Sequence, residues 1–364
     1  MIKKLKAFTL HIIAGANIAT ILVMLVMGFS DRINPASFPI LSNGGLLFPI
    51  FLMLNLAFLI FWLIFKTRWA LIPFVGFIIC YGPTRKYCPL NINREPPKDA
   101  IKVLSYNVWL FAGWEHGKNT PNPILEYIRK QDADIVCLQE SDTNEVGKEK
   151  VDSTLNPIYP YYDTAKRTNG NSIAIYSKYP ILSKELIDYE SKGNLSAAFK
   201  LLIDKEEVLV VNNHLETTGL TMEEKSEFRT MLKGEMQAGK AESTSKLLIH
   251  KLGKAAAIRA HQAQAVARYI AYHSDMPVIV CGDFNDGPIS YAHRTIAEGL
   301  TDCYIETANG PGISYHHNGF YVRIDNIMCS SHFEPFACRV DNDIKDSDHY
   351  PIYCWLKMRP KAQK

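Results

Sequence analysis

Apolar positions along this chain fall into two regimes. From Ala7 to Phe29 no charged side chain interrupts 23 residues, and from Gly45 to Phe65 none interrupts another 21. A bilayer of ~30 Å hydrocarbon is crossed by roughly 20 apolar residues in a helix, which pairs every backbone N–H and C=O internally. The pattern therefore predicts two membrane helices, at about 7–29 and 45–65, and a shorter third apolar run at 69–82 that suits a short span or an interfacial segment. After Asn91–Pro97, a polar, proline-bearing linker, the pattern changes to short alternating runs. Ile101–Tyr106, Ala133–Leu138, Ser172–Tyr176, Val208–Asn212, Met276–Cys281, Arg323–Met328 and Tyr350–Lys357 read as strands, with helical spacing at Pro123–Lys130 and Ala255–Tyr272. Many short strands and few helices predict packed sheets flanked by helices, an α+β domain over 98–364 behind an anchor over 1–90.

Five strand-like runs carry, at or near their ends, a residue able to bind a metal or move a proton: Asn107, Glu140, His214, Asp283 with Asn285, and Asp348-His349 before the last strand. Strands must end in something polar, so one such residue means little; several in order describe a cleft along the rim of a sheet. Glu140 and Asn107 offer hard oxygen ligands of the kind Mg²⁺ or Mn²⁺ accepts. Asp283 suits the positioning and deprotonation of a water for in-line attack at phosphorus, and Asn285 a hydrogen bond to that water or to a phosphoryl oxygen. His349 needs a carboxylate to hold its tautomer, from Asp348 or from elsewhere, and His214 is a second proton donor or phosphoryl contact. Together these suit phosphoester hydrolysis by direct water attack.

The ordered motifs Ser-Tyr-Asn107, Cys-Leu-Gln-Glu140, Asn-Asn-His214-Leu-Glu, Gly-Asp283-Phe-Asn285, Ile-Asp325-Asn-Ile and Ser-Asp348-His349-Tyr-Pro resemble the endonuclease/exonuclease/phosphatase (DNase I-like) superfamily over about 97–358. The resemblance implies a four-layer α/β/β/α sandwich with two central mixed sheets. It places Asn107 and Glu140 at the metal, Asp283 at the attacking water, and Asn285, His214 and His349 at the scissile phosphate. It gives Asp325 the support of His349 or a second metal position, with Asp348 the residue whose use varies most among such enzymes. Val280-Cys281 before Gly282, and Asp286-Gly287 after Asn285, depart from the motif of the inositol-phosphatase branch. A nuclease and a sphingomyelinase-like lipid phosphodiesterase or phosphatase both remain open. A catalytically silent, membrane-tethered binding module would be expected to have lost one of Glu140, Asp283, Asn285 or His349, and all four are present.

Charge sharpens this division of the chain. Of 40 Lys/Arg and 37 Asp/Glu in 364 residues, nine and two lie in 1–96, a net of +7, leaving −4 for 97–364. The catalytic part thus lacks the basic excess of proteins that grip nucleic acid, although a local patch such as Lys166-Arg167 would suffice. Lys3, Lys4 and Lys6 place the N-terminus in the cytoplasm, and Lys66 and Arg68 fall on the same side after one hairpin. Three spans, the expected number, put the domain outside the cytoplasm of a cell (inner) membrane; two spans, for which Arg85 and Lys86 argue mildly, would leave it inside. The expected partners are a phosphoester, nucleic acid or lipid headgroup, and the bilayer, with no protein partner implied. No glycine-rich phosphate loop and no CxxC pair occurs. Cys137, Cys281, Cys329 and Cys354 read as small buried hydrophobes. Gly219–Lys254, long for a connection, reads either as solvated surface helices or as a lid beside His214.

Overall fold

The computed structural model describes residues 2–115, 120–168 and 170–360. Two long apolar helices open the chain, α1 (Ile2–Gly28) and α2 (Phe48–Phe65), followed by α3 (Leu71–Ile79) and α4 (Tyr81–Tyr87). Their polarity is inside out. Asn17 donates to Asn55 at 3.2 Å and accepts from the Trp62 indole at 3.2 Å, and Asn55 donates to the Pro73 carbonyl at 3.0 Å, all buried between the helices. Leu22, Ile50, Ile64, Phe65 and Ile78 meanwhile face outward.

Twelve strands follow: β1 (Ile101–Asn107), β2 (Ile135–Gln139), β3 (Tyr161–Lys166), β4 (Ser172–Ser177), β5 (Ile181–Ile187), β6 (Leu195–Ile203), β7 (Glu206–His214), β8 (Val278–Asp283), β9 (Thr301–Asp302), β10 (Asp325–Cys329), β11 (Phe333–Val340) and β12 (Ile352–Met358). They form two six-stranded mixed sheets, ordered β11-β12-β1-β2-β4-β3 and β5-β6-β7-β8-β10-β9. Each sheet has one parallel pair near its centre, β1 with β2 and β7 with β8; all other pairings are antiparallel.

Strand side chains alternate between faces, and the two faces bury different partners. Val103, Ile135, Cys137, Phe199, Val210, Ile279, Cys281 and Ile327 meet between the sheets. On the outer face of the first sheet, Leu104, Val136 and Leu138 pack on α5 (Pro123–Gln131) and α6 (Lys148–Leu155). On the outer face of the second, Leu209, Val211, Val278 and Val280 pack on two further helices. With α7 (Met222–Leu232) lying near the cleft, these are α8 (Ala238–Tyr272) and α9 (Tyr291–Ile296); α10 (Cys303–Thr307) is short. This is the expected four-layer α/β/β/α sandwich. The expected buried role of Cys137, Cys281, Cys329 and Cys354 holds, and all eight cysteines are free thiols.

Two expectations change. The helix predicted over 255–272 begins at Ala238; Gly239, Gly253 and Ser243-Thr244-Ser245 masked this first half in the sequence, while Leu248 and Thr244 are buried along it. The stretch predicted as a linker is pinned to the domain: the Asn91 amide donates to the Ile305 and Ala308 carbonyls at 3.0 and 2.6 Å. Anchor and domain are also docked by an Arg85–Glu306 pair at 2.9 Å and by Ile289, which lies in one apolar cluster with Met24, Phe48 and Cys80. A methyl group on Gly45 would stand 2.0 Å from the Ile289 carbonyl oxygen, so the segment between the two long helices lies backbone to backbone against the domain.

Candidate active site

The alternation that fills the core also aims the polar residues. Asn107 shares the inward parity of Val103, His214 that of Val210, Asp283 that of Ile279 and Cys281, and Asp325 that of Ile327. The site is thus the polar end of the space between the sheets, where inward positions stop being apolar. Register sets the spacing: Asp325 pairs with Asp283 across β10 and β8, and Asp283 with His214 across β8 and β7. Glu140 and Asn285 lie one and two residues past their strands and turn into the site through left-handed backbone, each at φ 51°.

Asp283 is the hub. Its Oδ1 accepts the Asn285 backbone N–H at 2.7 Å, and its Oδ2 accepts the Asn107 amide at 3.1 Å and the Asn285 amide at 3.3 Å. The Asn107 amide also reaches Glu140 Oε1 at 3.3 Å. His349 Nδ1 lies 2.8 Å from Asp325 Oδ2, and its Nε2 3.6 Å from Asp283 Oδ2. His349 therefore takes its carboxylate from Asp325, not from Asp348, whose side chain lies at the cleft wall. His214 Nε2 stands 3.7 Å from both Glu140 and Asp283, and neither of its ring nitrogens has a hydrogen-bond partner although the residue is fully buried. All eight sequence-predicted residues converge on one cleft.

Electrostatics divides their roles. Burial, with the Asp325 charge adding to it, pushes the Asp283 carboxyl up to about 7 against the opposing pull of His349. Burial alone would lower His349, but the Asp325 and Asp283 carboxylates lift it to about 10, so it is an imidazolium at neutral pH. Burial, then the neighbouring His349 charge, drives His214 down to about 3, so it is neutral. One histidine is a charge donor and the other a neutral contact.

Several residues around the site carried no motif. Gln139 donates to Asn212 Oδ1 at 2.7 Å and Asn212 to the Leu138 and Ala174 carbonyls at 3.1 Å, tying the two sheets together just beneath the site. Arg259, fully buried on α8, pairs with Asp286 at 3.0 Å and donates to the Glu216 carbonyl at 3.1 Å, while Gln262 accepts the Glu216 N–H at 2.8 Å. These two residues brace the loops after β8 and β7. Lys225 on α7 bonds the Tyr315 hydroxyl at 2.8 Å at the cleft wall. The stretch 219–254 is therefore both things considered for it: α7 flanks the cleft, and the first half of α8 is a largely solvated helix. His316 and His317 do not join the site; His316 stacks on Tyr350 at 3.8 Å.

As donors to a divalent cation, the Glu140 and Asp283 carboxylates form an oxygen-rich pair that fits Mg²⁺ or Mn²⁺ beside the unpartnered His214; Asn107 points its NH2 at both carboxylates and its oxygen at the Trp109 N–H, so it would join them as a ligand with its amide turned over. Asp283, Asp325 and His349 also bring ligand-type atoms within 4.8 Å of one another.

The endonuclease/exonuclease/phosphatase family matches residues 104–349, and the chain belongs to that family. Residues 10–87 match a domain family of unknown function (DUF8431). Comparison with curated protein sequences finds no match. Among solved structures, the catalytic domain of human nocturnin with bound sulfate is similar at 18% identity and a TM-score of 0.50, over 76% of this chain and 98% of that one. An endonuclease/exonuclease/phosphatase family protein from Bacteroides thetaiotaomicron is 19% identical with a TM-score of 0.48, over 72% and 98%. A beta toxin from Staphylococcus aureus is 17% identical with a TM-score of 0.48, over 70% and 99%. The family is one of hydrolytic phosphoesterases, and this chain has their fold.

Proposed function

We propose that the protein is a membrane-anchored phosphoester hydrolase that depends on Mg²⁺ or Mn²⁺. The observation that carries this reading is the convergence of Asp283, Asn107, Glu140, His214 and the Asp325–His349 pair on one buried centre. A divalent cation held by Glu140 and the Asn107 amide oxygen would supply charge neutralisation at phosphorus. Asp283 takes the proton of the attacking water, and Asn285, already bonded to it, keeps its carboxylate oriented. The His349 imidazolium, held by Asp325, faces the charge that grows on the phosphoryl oxygens. Neutral His214 donates a hydrogen bond to the same group, which answers its missing partner. Full-length protein in detergent is expected to hydrolyse bis(4-nitrophenyl) phosphate with Mg²⁺ and to stop with EDTA. Glu140→Gln should raise the half-saturating Mg²⁺ concentration by about 10-fold or more; an unchanged titration removes Glu140 from the ligand set.

Two features support the anchor. Only 22% and 17% of the apolar windows at Lys4–Arg32 and Leu41–Phe65 are buried, unlike core helices of a water-soluble protein, and the polar contacts of Asn17, Asn55 and Trp62 lie between the helices. The segment joining α1 to α2 contacts the catalytic domain, which supports a domain opposite the Lys66–Arg68 hairpin and, with the positive-inside preference, outside the cytoplasm. Protease added to intact cells stripped to the inner membrane should cut the domain. Protection of the domain until the membrane is opened would reverse this orientation.

A further inference from the structure

The catalytic cleft has a wall that the catalytic fold does not provide. Its volume is about 260 Å³, and opposite Asp283 and Tyr315 it is lined by Asn43 and Leu46, which belong to the 3-10 helix Leu41–Leu47 between the two long apolar helices. This placement is fixed by close packing: Gly45 meets the Ile289 carbonyl backbone to backbone, and the same loop of the domain carries Asp286 and Gly287 into the cleft. On the other side of the segment Gly253 of α8 abuts Pro39. At 27 residues, α1 is about 40 Å long, enough to cross the hydrocarbon and bring Gly28 to the headgroup level. The segment 29–47 then falls at that level, and several of its apolar side chains are exposed, Leu46 also lining the cleft. Phe38 is 63% exposed and Ile40 68%, with Leu41, Leu46 and Leu47 also exposed. The cleft is lined by Leu46, Leu220, Leu252 and Phe320 as well as by Glu140, Asp283, Asp348 and His349.

We infer that the substrate is a phosphodiester carried by a bilayer lipid. Its headgroup passes between the Leu41–Leu47 helix and Asp283 while its acyl chains stay in the leaflet beside Phe38 and Ile40. The inference rests on the hydrolase and anchor readings above. Charge in the cleft favours a diester with its single negative charge. The Lys and Arg side chains that line the cleft, Lys225 and Arg259, are both engaged, Lys225 with Tyr315 and Arg259 with Asp286. Hydrolysis adds the water oxygen to phosphorus and breaks the ester P–O bond. It releases one alcohol, which takes up a proton, and one phosphomonoester; one of the two products remains in the membrane.

The test uses the full-length protein reconstituted into vesicles of phosphatidylethanolamine, phosphatidylglycerol and sphingomyelin with Mg²⁺, alongside soluble bis(4-nitrophenyl) phosphate and plasmid DNA, with Asp283→Asn as the blank. Lipid hydrolysis is expected at a rate per substrate concentration at least 100-fold above the soluble diester. The double variant Phe38→Ser, Ile40→Ser should cut the ratio of lipid to soluble turnover at least tenfold. DNA or the soluble diester cleaved as well as lipid, with a ratio the double variant does not move, overturns the inference and leaves the hydrolase reading intact. No turnover of any of the three overturns both.

Discussion

Asp283→Asn is expected to lower turnover of any phosphodiester by about 10³-fold or more, near the upper range for loss of a general base. The substitution keeps the shape and one acceptor oxygen, enough for the Asn285 backbone N–H or for the Asn107 amide but not for both, while removing the group that accepts the proton of water. It also removes a buried charge whose ionisation the surroundings resist, so folding should survive and the loss should lie in kcat. The pH profile gives the same assignment a second readout. The carboxyl is pushed up to about 7 by burial and by Asp325, and a base works only when deprotonated. Activity should therefore rise about tenfold per pH unit on the acid side and level off at or below about 7, since a cation bound beside Asp283 favours its ionised form. Any residual activity of Asp283→Asn should lack that limb. A variant that keeps more than a tenth of the wild-type rate would show that another group is the base.

Gly282→Ala should be the most damaging single methyl group in the domain. Gly282 sits in β8 with φ 128°, a backbone conformation closed to side-chain-bearing residues. Its Cβ would fall 2.0 Å from the Asn213 carbonyl oxygen and 2.7 Å from the Asn213 nitrogen on β7, the strand with which it is in parallel register. Strain and overlap together are expected to cost roughly 3 kcal/mol or more, a large share of a domain's ~5–15 kcal/mol. The denaturant midpoint of the full-length protein in detergent reads this out, with Gly219→Ala as the reference. Gly219 also has positive φ, at 63°, but open space around it, so its cost should stay near 1 kcal/mol. Equal midpoints for the two variants would mean that β7 and β8 part without penalty. The glycine before Asp283 is thus there for strand contact: the close approach that holds the register of Asp283 against His214 leaves no room for a Cβ.

What the linear chain determined follows from short-range rules. Uncharged runs longer than a bilayer is thick marked the two long helices. Period-two alternation marked the strands and, with hindsight, their inward parity, which carries Asn107, His214, Asp283 and Asp325 to one end of the inter-sheet space. Their order along the chain was enough to gather the eight candidate residues that the structure brings to one cleft. What lay beyond it were pairings between residues far apart in sequence and chosen by packing. Nothing local says that His349 takes Asp325 rather than its neighbour Asp348, because the partner arrives through β10, from a distant part of the chain. Gln139 with Asn212, and Arg259 with Asp286, were equally silent, since a buried polar side chain looks like any other until its partner is placed beside it. The cleft wall from Asn43 and Leu46 was hidden for the same reason: the segment reads as a turn between two apolar helices. Only the docking of Gly45 on Ile289, a contact between residues more than two hundred positions apart, brings it to the active site.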